Sequence, residues 1–369
     1  MKEKKSCHFC GKGLTGSDTL FFDDVAMCET CFCEHTSICE HCGERLWSYD
    51  VCGADNYTLC QRCYNSHYTT CGECGAVIHN DDAQYFTDDD IPYCHGCFDE
   101  KERREIIHDY NYKPEPLFCG NDNLFMGVEL EIDNAGEYAD NAESILRVAN
   151  RSNENIYCKH DGSIEEGFEI VSHPMTLDYH INSMDWCAVF DKAVNMGYRS
   201  HQTDTCGLHI HINRNYFGET YEEQESAIAR VVYFVEAHWN ELLKFSRRTE
   251  DSIMRWASRY GILENAKNTY DKAKKGSYGR YVCINLQNSN TIEFRIFKGT
   301  LKYKTFIATL QLVHEICAKA KKLNDKEFES LCWGDFVLSI NSETKAELIE
   351  YLKGKCLYIN EPIDCEEDV

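Results

Sequence analysis

Hydrophobic and polar residues alternate strictly in four short segments of the chain, and this alternation predicts half-buried β-strands. In Gly127–Asp133, aliphatic residues alternate with the acids Glu129, Glu131 and Asp133. The other three segments are Leu208–Asn213, Thr291–Ile296 and Phe168–Val171. Each strand is expected to bury its aliphatic face, while the side chains of its other face point towards solvent or a ligand.

The polar faces of these predicted strands carry an unusual set of residues. They hold two acids in the first segment, His209 and His211 in the second, Glu293 and Arg295 in the third, and Glu169 in the fourth. Acids side by side on one strand face repel unless water or a cation neutralises them, so the first pair alone also fits a solvated acidic surface. Taken together, the four faces predict one site for metal ions and phosphate.

Helical periodicity appears between and after the strands. It predicts helices at Asp99–His108, Tyr221–Phe245 and Lys302–Leu323, and a further helix with Ser342 as its N-cap that ends near Lys353. The polar segment Asp251–Ser277 fits either a lid over the site or a surface excursion. This mixture of strands and helices predicts an α+β fold with a sizeable core.

Cysteines dominate the N-terminal third of the chain. Six C-x-x-C pairs repeat with a period of 32 residues, and four thiolates per repeat fit one tetrahedral zinc site, with disulfides or another cluster as alternatives. The predicted zinc ligands are Cys7, Cys10, Cys28, Cys31, Cys39, Cys42, Cys60, Cys63, Cys71, Cys74, Cys94 and Cys97. Glycine follows each leading pair, where the turn favours positive φ. We expect three structural zinc ions, one per repeat, although a cross-braced arrangement would also use four cysteines.

The charge balance of the sequence restricts the classes of partner that the protein is expected to bind. The 369-residue chain has a net charge of −24, and residues 1–117 contain 10 Lys and Arg against 22 Asp and Glu. This balance disfavours nucleic acid and anionic membranes, and it favours a protein partner for the zinc modules or a spacer role. We expect a soluble protein, since the charged N-terminus does not read as a signal peptide and no apolar run is long enough to span a membrane. The cysteines outside the C-x-x-C pairs indicate a reducing cytoplasm.

The motifs resemble a known group of enzymes. The order E-x-E at Glu129, G-x-H-x-H at Gly207 and E-F-R at Glu293 resembles the glutamine synthetase and glutamate–cysteine ligase superfamily. Residues 159–174 and 285–301 look most like its amidoligase branch, which bacteria and phages often carry. The resemblance implies a curved antiparallel sheet of glutamine-synthetase type, with helices packed behind it and with ATP and two Mg²⁺ or Mn²⁺ ions bound on its open face. The zinc modules resemble half-LIM or zinc-ribbon units.

The same resemblance assigns roles to individual residues. One metal ion would be held by Glu129, His209 and Glu293, and the other by Glu131, Asp161 and Glu169, where Asp161 departs from the glutamate that the family often has. His211 would contact nucleotide, and Arg295 would hold the transferring phosphoryl group, so that Arg295, Glu293 and Glu129 are the predicted catalytic residues. Arg280 is a further predicted contact to the nucleotide phosphates, because family members carry an arginine shortly before the corresponding strand. Arg247 and Lys159 are predicted contacts of the same kind from their positions in the sequence alone, where a solvated surface position also fits each.

The resulting prediction is an ATP-dependent ligase that joins a carboxylate to an amine through an acyl phosphate, with a peptide or protein as one possible substrate class. Two alternatives remain open: a phosphotransferase of the guanidino-kinase type, and a non-catalytic zinc-containing adapter. The predicted divisions are three zinc modules, a catalytic domain and a C-terminal helical extension, at residues 1–37, 38–69, 70–110, 118–323 and 324–369. Cys206 is expected to be a buried thiol at a strand end, although its position also allows a nucleophile.

Overall fold

The computed structural model describes residues 6–53, 57–86, 89–203, 205–276 and 279–358. It divides into two compact units, Met1–Glu105 and Ile106–Val369, which we call the zinc array and the sheet domain. The acidic tail at residues 365–369 lies outside the described residues. Within the described part of the chain, no helix is both long and apolar enough to cross a membrane.

Each unit of the zinc array has a short antiparallel hairpin and a helix that begins at its second C-x-x-C pair. The hairpin lies between the two pairs in the first unit, whereas in the second and third units it encloses the leading pair. The array's strands are β1 (Leu20–Phe22), β2 (Val25–Met27), β3 (Thr36–Ile38), β4 (Arg45–Trp47), β5 (Tyr68–Thr70) and β6 (Val77–His79). Its helices are α1 (Glu29–His35), α2 (Gln61–His67) and α3 (His95–Arg104). The helices begin directly after Cys28, Cys60 and Cys94, which occupy the N-cap positions.

Neighbouring modules share apolar side chains. Trp47, on the second module's hairpin, packs against the core of the first module around Leu14 and Met27. Val77, on the third module's hairpin, belongs to the core of the second module with Leu46 and Leu59. Each of these two hairpins therefore covers the module before it.

The sheet domain is built on a seven-stranded sheet with the order β12-β13-β11-β8-β10-β9-β7. The strands are β7 (Ile107–His108), β8 (Met126–Ile132), β9 (Ile156–Lys159), β10 (Phe168–Ser172), β11 (Gly207–Asn213), β12 (Ile284–Asn285) and β13 (Thr291–Lys298). Neighbours are antiparallel except β7 and β9, which run parallel. The sheet is therefore mixed, and the expectation of a purely antiparallel sheet was wrong at this edge, because the segment after the zinc array adds a strand.

One face of this sheet is aliphatic and packs against helices in a single large core, as the alternation predicted. Val128, Leu130 and Ile132 are completely buried on β8. The helices are α4 (Ala139–Ala149), α5 (Leu177–Asn182), α6 (Trp186–Asn195), α7 (Tyr221–Ala237), α8 (Trp239–Ser246), α9 (Glu250–Trp256), α10 (Ala266–Lys275), α11 (Tyr303–Lys322), α12 (Asp325–Glu329), α13 (Trp333–Leu338) and α14 (Ala346–Gly354). Burying this face leaves the polar face of the central strands available for a site.

The predicted helices differ from the observed ones at their ends. The predicted helix at 221–245 breaks at His238, whose ring Nε2 donates a hydrogen bond to the carbonyl oxygen of Leu331, and so forms α7 and α8. The predicted helix at 99–108 begins earlier, after Cys94, and ends at Arg104. The last helix begins at Ala346 rather than after Ser342, because Asn341 accepts hydrogen bonds from the next backbone N–H groups and forms a turn first.

The segment at 251–277 is anchored rather than detached. The buried carboxylate of Glu236 accepts hydrogen bonds from the backbone N–H groups of Tyr260 and Gly261 and from the guanidinium of Arg259. α10 packs against α7. Most of the described part of this segment is therefore fixed to the rest of the domain. Trp256, which belongs to this segment, lines the pocket described below.

Candidate functional site

Four cysteines come together in each module of the zinc array. The ligand atoms of each set lie within 4.8 Å of one another, and the sets are Cys7, Cys10, Cys28 and Cys31; Cys39, Cys42, Cys60 and Cys63; and Cys71, Cys74, Cys94 and Cys97. Each set is sequential, with one cluster per repeat, which confirms the sequential interpretation over the cross-braced one.

The sulfur geometry distinguishes zinc from disulfides. Across the two pairs of each set, Sγ–Sγ distances are 3.7 Å for Cys10 and Cys28, 3.9 Å for Cys42 and Cys60, and 3.8 Å for Cys74 and Cys94. A tetrahedral zinc site with Zn–S bonds of about 2.3 Å separates its sulfurs by about 3.8 Å, whereas a disulfide has a bond of about 2.05 Å. The three clusters therefore fit three Zn²⁺ ions.

The backbone supports thiolates at these positions. Gly11, Gly43 and Gly75 have φ of 72°, 74° and 74°, so each leading pair turns through a conformation that favours glycine. Backbone N–H groups of Cys10 and Cys28 lower the pKa of the Cys7 thiol to about 6. Four protein ligands leave a zinc ion without an open position, so these sites are structural.

In the sheet domain, the polar face of the four central strands forms an acidic cluster. Glu129 and Glu131 lie on β8, Glu169 on β10, and His209 on β11. Register brings them together, because His209 pairs with Glu129 and Glu169 pairs with Glu131 across neighbouring strands. Ligand atoms of Glu129, Glu169 and His209 lie within 4.8 Å of one another.

The histidines connect the acids of neighbouring strands. Nδ1 of His209 lies 3.4 Å from Glu129 Oε2 and 3.8 Å from Glu293 Oε1, and its Nε2 lies 3.8 Å from Glu131 Oε1. Nε2 of His211 lies 3.2 Å from Glu129 Oε1. His209 thus contacts carboxylates from both predicted ligand sets. The three residues whose ligand atoms lie within 4.8 Å of one another, Glu129, Glu169 and His209, also come from both predicted sets.

A β-bulge separates the two ends of β13. Leu208 on β11 pairs with Phe297, whereas Ile210 pairs with Phe294, so Arg295 and Ile296 together face His209. Bulges re-aim side chains and are common beside active sites. Arg295 donates a short hydrogen bond to Glu293, whose other oxygen accepts from Asn285 at 2.7 Å. Arg295 thereby lines the same pocket as the acids.

Burial and charge act in opposite directions on the carboxylates. Burial and the charge of Glu129 raise the pKa of Glu169 well above its usual value, and burial also raises the pKa of Glu131. At Glu129, burial raises the pKa, but the charges and hydrogen bonds of His211 and His209 together outweigh burial, and the pKa lies well below its usual value. Buried acids with raised pKa values are the groups that a bound cation would most readily neutralise.

The acidic cluster forms the floor of a pocket of about 560 Å³. Lys159, Asp161, Arg280 and His211 also line it. Lys159 Nζ lies 3.8 Å from Glu169 Oε2, and the Asp161 carboxylate accepts from the backbone N–H of Ser163 at 2.7 Å. All predicted metal ligands of the sheet domain, and three of the four predicted nucleotide contacts, therefore line one pocket.

Arg247 is the fourth predicted nucleotide contact, and it does not line this pocket. Its guanidinium donates to the carbonyl oxygen of Lys298 and lies 3.4 Å from the Tyr351 hydroxyl. Its neighbour Arg248 lines the pocket instead and donates to Ser252 at 3.1 Å. Arg247 has φ of 68° at the end of α8, and this turn separates the directions of the two side chains.

Gly207 is required by the packing of the floor. A Cβ atom here would lie 2.7 Å from Nε2 of His209 and 2.8 Å from Nη2 of Arg248, closer than real Cβ contacts allow. The Gly207 N–H donates to Glu131 Oε2 at 2.5 Å. The glycine of the G-x-H-x-H motif therefore leaves space for a histidine and an arginine.

Cys206, the residue before Gly207, is buried, and burial raises the pKa of its thiol to about 12. This fits the expectation of a buried thiol at a strand end.

The pocket also has walls that sequence reasoning missed. Tyr110, on the segment after β7, accepts a hydrogen bond from Arg280, and Lys159 Nζ lies 5.4 Å from the centre of the Tyr110 ring. Arg280 also donates to the Tyr281 hydroxyl at 3.0 Å, and Trp256 lies beside Tyr281. The sequence around Tyr110, H-D-Y-N-Y, has no motif that would have indicated this role.

Comparison with known proteins covers the centre of this domain. A family model described as a putative amidoligase enzyme matches residues 145–317. The matched range includes β9 to β13, with Asp161, Glu169, His209 and Glu293, but it begins after Glu129 and Glu131 and excludes the zinc array. The curated proteins contain no match. Over residues 145–317 the chain is therefore similar to an amidoligase family, and this similarity supports a ligase.

Proposed function

We propose that this protein is an ATP- and divalent-metal-dependent ligase that forms an amide between a carboxylate and an amine. The observation that carries the proposal is the convergence of acids, histidines and arginines on the polar face of one sheet, most of them within the range that is similar to amidoligases. ATP-dependent ligation brings two anions together, the triphosphate and the carboxylate substrate. Cations in the site must offset their repulsion.

The donor set favours hard divalent ions. Glu129, Glu131, Asp161, Glu169 and Glu293 offer carboxylate oxygens, which suit Mg²⁺, and His209 offers a nitrogen that also admits Mn²⁺. Burial and nearby carboxylates raise the pKa of Glu169, and a cation bound beside it would favour the ionised form. Bound divalent ions would supply charge neutralisation for the phosphate oxygens. We assign the first ion to Glu129, His209 and Glu293, and the second to Glu131, Asp161 and Glu169.

The basic side chains are suited to the transferring group. In the proposed reaction the substrate carboxylate attacks the γ-phosphorus of ATP, and ADP leaves. The amine then attacks the acyl carbon, phosphate leaves, and the amine loses a proton. Arg295 and Arg248 line the floor of the pocket and would face the phosphoryl oxygens, while Arg280 and Lys159 flank its mouth at Tyr110. His211, next to Glu129, would contact the nucleotide.

The zinc array has a separate proposed role, which is to bind a protein partner or a polypeptide substrate. Its three metal sites are closed, so it offers surfaces rather than chemistry. The substrate pair is then a carboxylate and an amine, of which one is carried by a peptide or protein.

Isotope transfer tests the proposal. The full-length protein is incubated with ATP, Mg²⁺ and a mixture of amines and carboxylates that carry heavy oxygen, and the released phosphate is analysed by mass spectrometry. A ligase moves one heavy oxygen from the carboxylate into phosphate and yields ADP and an amide. Release of ADP with a phosphorylated amine or guanidine would instead identify a phosphotransferase.

Binding is measured first, because it does not require the true substrate. Calorimetry with Mn²⁺ and a non-hydrolysable ATP analogue should give metal-dependent nucleotide binding. Glu129→Gln should weaken it about 100-fold, since removing a coordinating or charge-balancing group from a metal site typically costs that much. Absence of nucleotide binding in the unaltered, zinc-loaded protein would refute the proposed function.

A further inference from the structure

Four aromatic rings form a connected group where the first zinc module meets the second. Phe9 stacks on His35 with ring centres 3.7 Å apart and lies 6.2 Å from Trp47, and Trp47 stacks on Tyr49 at 5.8 Å with the planes 8° apart. We call Phe9, His35, Trp47 and Tyr49 the aromatic joint. Trp47 is anchored in the core of the first module, so the group is held in place.

Two of these rings are strongly exposed. Tyr49 is 77% exposed and Phe9 is 42% exposed, although both are large hydrophobic residues. Each lies against a second ring, which restricts its motion. Rigid aromatic side chains provide contact area at a low cost in conformational entropy, and such residues are therefore common in binding surfaces.

The following joint provides an internal comparison. A shift of 32 residues relates Phe9, His35, Trp47 and Tyr49 to His41, His67, His79 and Asp81. The three histidine rings there lie 4.4 to 6.3 Å from one another, so they occupy the same structural place. The repeat therefore uses rings at both joints for packing, but the exposed apolar surface belongs to the first joint.

Charge indicates what this surface binds. Residues 1–100 contain eighteen Asp and Glu against six Lys and Arg, and four of these six, Lys2, Lys4, Lys5 and Lys12, lie within seven residues of Phe9. The other two are bonded within the array, Arg45 to Thr36 and Arg62 to Glu44. Each zinc site adds a further charge of about −2. The array as a whole is thus anionic, and Asp23 lies beside the joint as the acceptor of the Trp47 ring N–H at 2.7 Å.

The third module already binds a cation in this way. The ammonium of Lys101 donates a hydrogen bond to the Tyr93 hydroxyl at 2.6 Å, lies 5.0 Å from the centre of the Phe86 ring and is 3.5 Å from the Asp89 carboxylate. A phenol hydroxyl, an aromatic ring and a carboxylate together therefore hold an ammonium group within this array. The aromatic joint presents the same chemistry on an open surface.

We infer that the aromatic joint is a docking surface for a basic, extended polypeptide segment, whose lysine or arginine side chains lie on the Phe9 and Tyr49 rings among the surrounding carboxylates. Cation–π contacts at exposed sites contribute modestly, and the long-range attraction adds to them. The inference concerns the zinc array alone and does not depend on the proposed ligase activity.

Fluorescence anisotropy tests the inference with the full-length, zinc-loaded protein. The probe is a short fluorescein-labelled peptide of alternating lysine and glycine, and the corresponding glutamate peptide is the reference. We expect the lysine peptide to bind and the glutamate peptide not to bind. The double variant Phe9→Ser and Tyr49→Ser should bind the lysine peptide about tenfold more weakly, which corresponds to two cation–π contacts.

Matched variants separate the rings from the charge. Asp81→Ser changes the equivalent position of the second joint and removes a charge, and it should weaken binding by less than about twofold, as expected for one screened surface charge. Tyr49→Phe keeps the ring and should bind normally. A zinc content of three ions per chain checks that each variant is folded. The inference is wrong if the lysine peptide does not bind, or if the double variant with full zinc content binds as tightly as the unaltered protein.

Discussion

The zinc array and the sheet domain both gather metal-binding side chains, but they hold them in opposite ways. In the array the ligands are themselves the core, since three of the five buried residues in the first module's cluster are cysteines of the zinc site. In the sheet domain the acidic cluster lies on one face of a sheet whose other face is buried in a large apolar core. We therefore expect the array to need its metal to fold, whereas the sheet domain has a large core that, among the residues described, contains no predicted metal ligand.

The difference also appears in the electrostatics. Four thiolates surround and close a zinc site, so the metal is fixed and inert. The acids of the sheet domain line an open pocket, and burial raises the pKa of Glu169 and Glu131 instead of pairing every charge. Unfavourable charge that a stable fold tolerates is a common property of functional sites. The two units therefore differ as closed cysteine clusters, which fit structural zinc, differ from an open acidic pocket, for which we propose functional metal ions.

Metal removal should give the largest effect. A strong chelator is expected to remove three zinc ions per chain and unfold the array, because structural zinc contributes about 10–16 kcal/mol of apparent binding free energy in zinc-finger peptides. The sheet domain should stay folded. Hydrogen exchange followed by mass spectrometry measures the protection of backbone amides in both units in one experiment. An equal loss of protection in the two units would contradict the expected difference between them.

Glu169→Gln should separate function from stability within the sheet domain. Because the folded-state pKa of Glu169 is raised, ionisation of this carboxyl group opposes folding. The penalty is constant above the folded-state pKa and disappears as the pH falls from that pKa to the ordinary pKa of a glutamate. The neutral isostere should therefore raise the free energy of unfolding by about 1 kcal/mol while weakening Mn²⁺ binding about 100-fold. Denaturant unfolding and calorimetry measure the two quantities, and a destabilised variant would argue for a purely structural ion pair with Lys159.

Gly207→Ala tests how closely the floor is packed. The added Cβ would displace His209 or Arg248, so we expect a loss of about 1–3 kcal/mol in stability and at least about tenfold weaker metal binding. Gly354→Ala is the control, because a Cβ there meets no atom within 4 Å. Equal behaviour of the two variants would show that the floor adjusts easily.

Tyr110→Phe should give the smallest effect. It removes one hydroxyl that orients Arg280 but leaves the ring beside Lys159, so nucleotide affinity should fall about fivefold, as for one lost hydrogen bond to a charged group near solvent. In an Arg280→Ala background the same change should have no further effect. Tyr138→Phe, at a residue 63% exposed, serves as the control. An undiminished effect without Arg280 would show that Tyr110 acts by another route.

The parts that sequence predicted well are those with a local signal. Strict alternation identified β8, β10, β11 and β13, and the repeat identified all twelve zinc ligands. Both signals arise from chemistry that recurs at a fixed spacing along the chain. The breaks and ends of helices were less predictable, because the break at His238 depends on a carbonyl more than ninety residues away.

The parts that sequence could not give depend on long-range register and on the direction of single side chains. Arg247 and Arg248 are adjacent and chemically identical, and only the left-handed turn at Arg247 directs one to the pocket and the other to Lys298. Tyr110 reaches the pocket because β7 adds to the sheet beside β9, which is a parallel pairing without a sequence signature. Neither position carries a motif.

The sharing of apolar side chains between modules gives the zinc array a polarity. Trp47 and Val77 each complete the module that precedes their own, so the first two modules depend on a successor. At the last module, the ring of Phe98 stacks on Phe86, and Lys101 lies over Phe86. An ancestral duplication of this unit would therefore have extended the array most easily by insertion before the final module, since the terminal position requires its own closing residues.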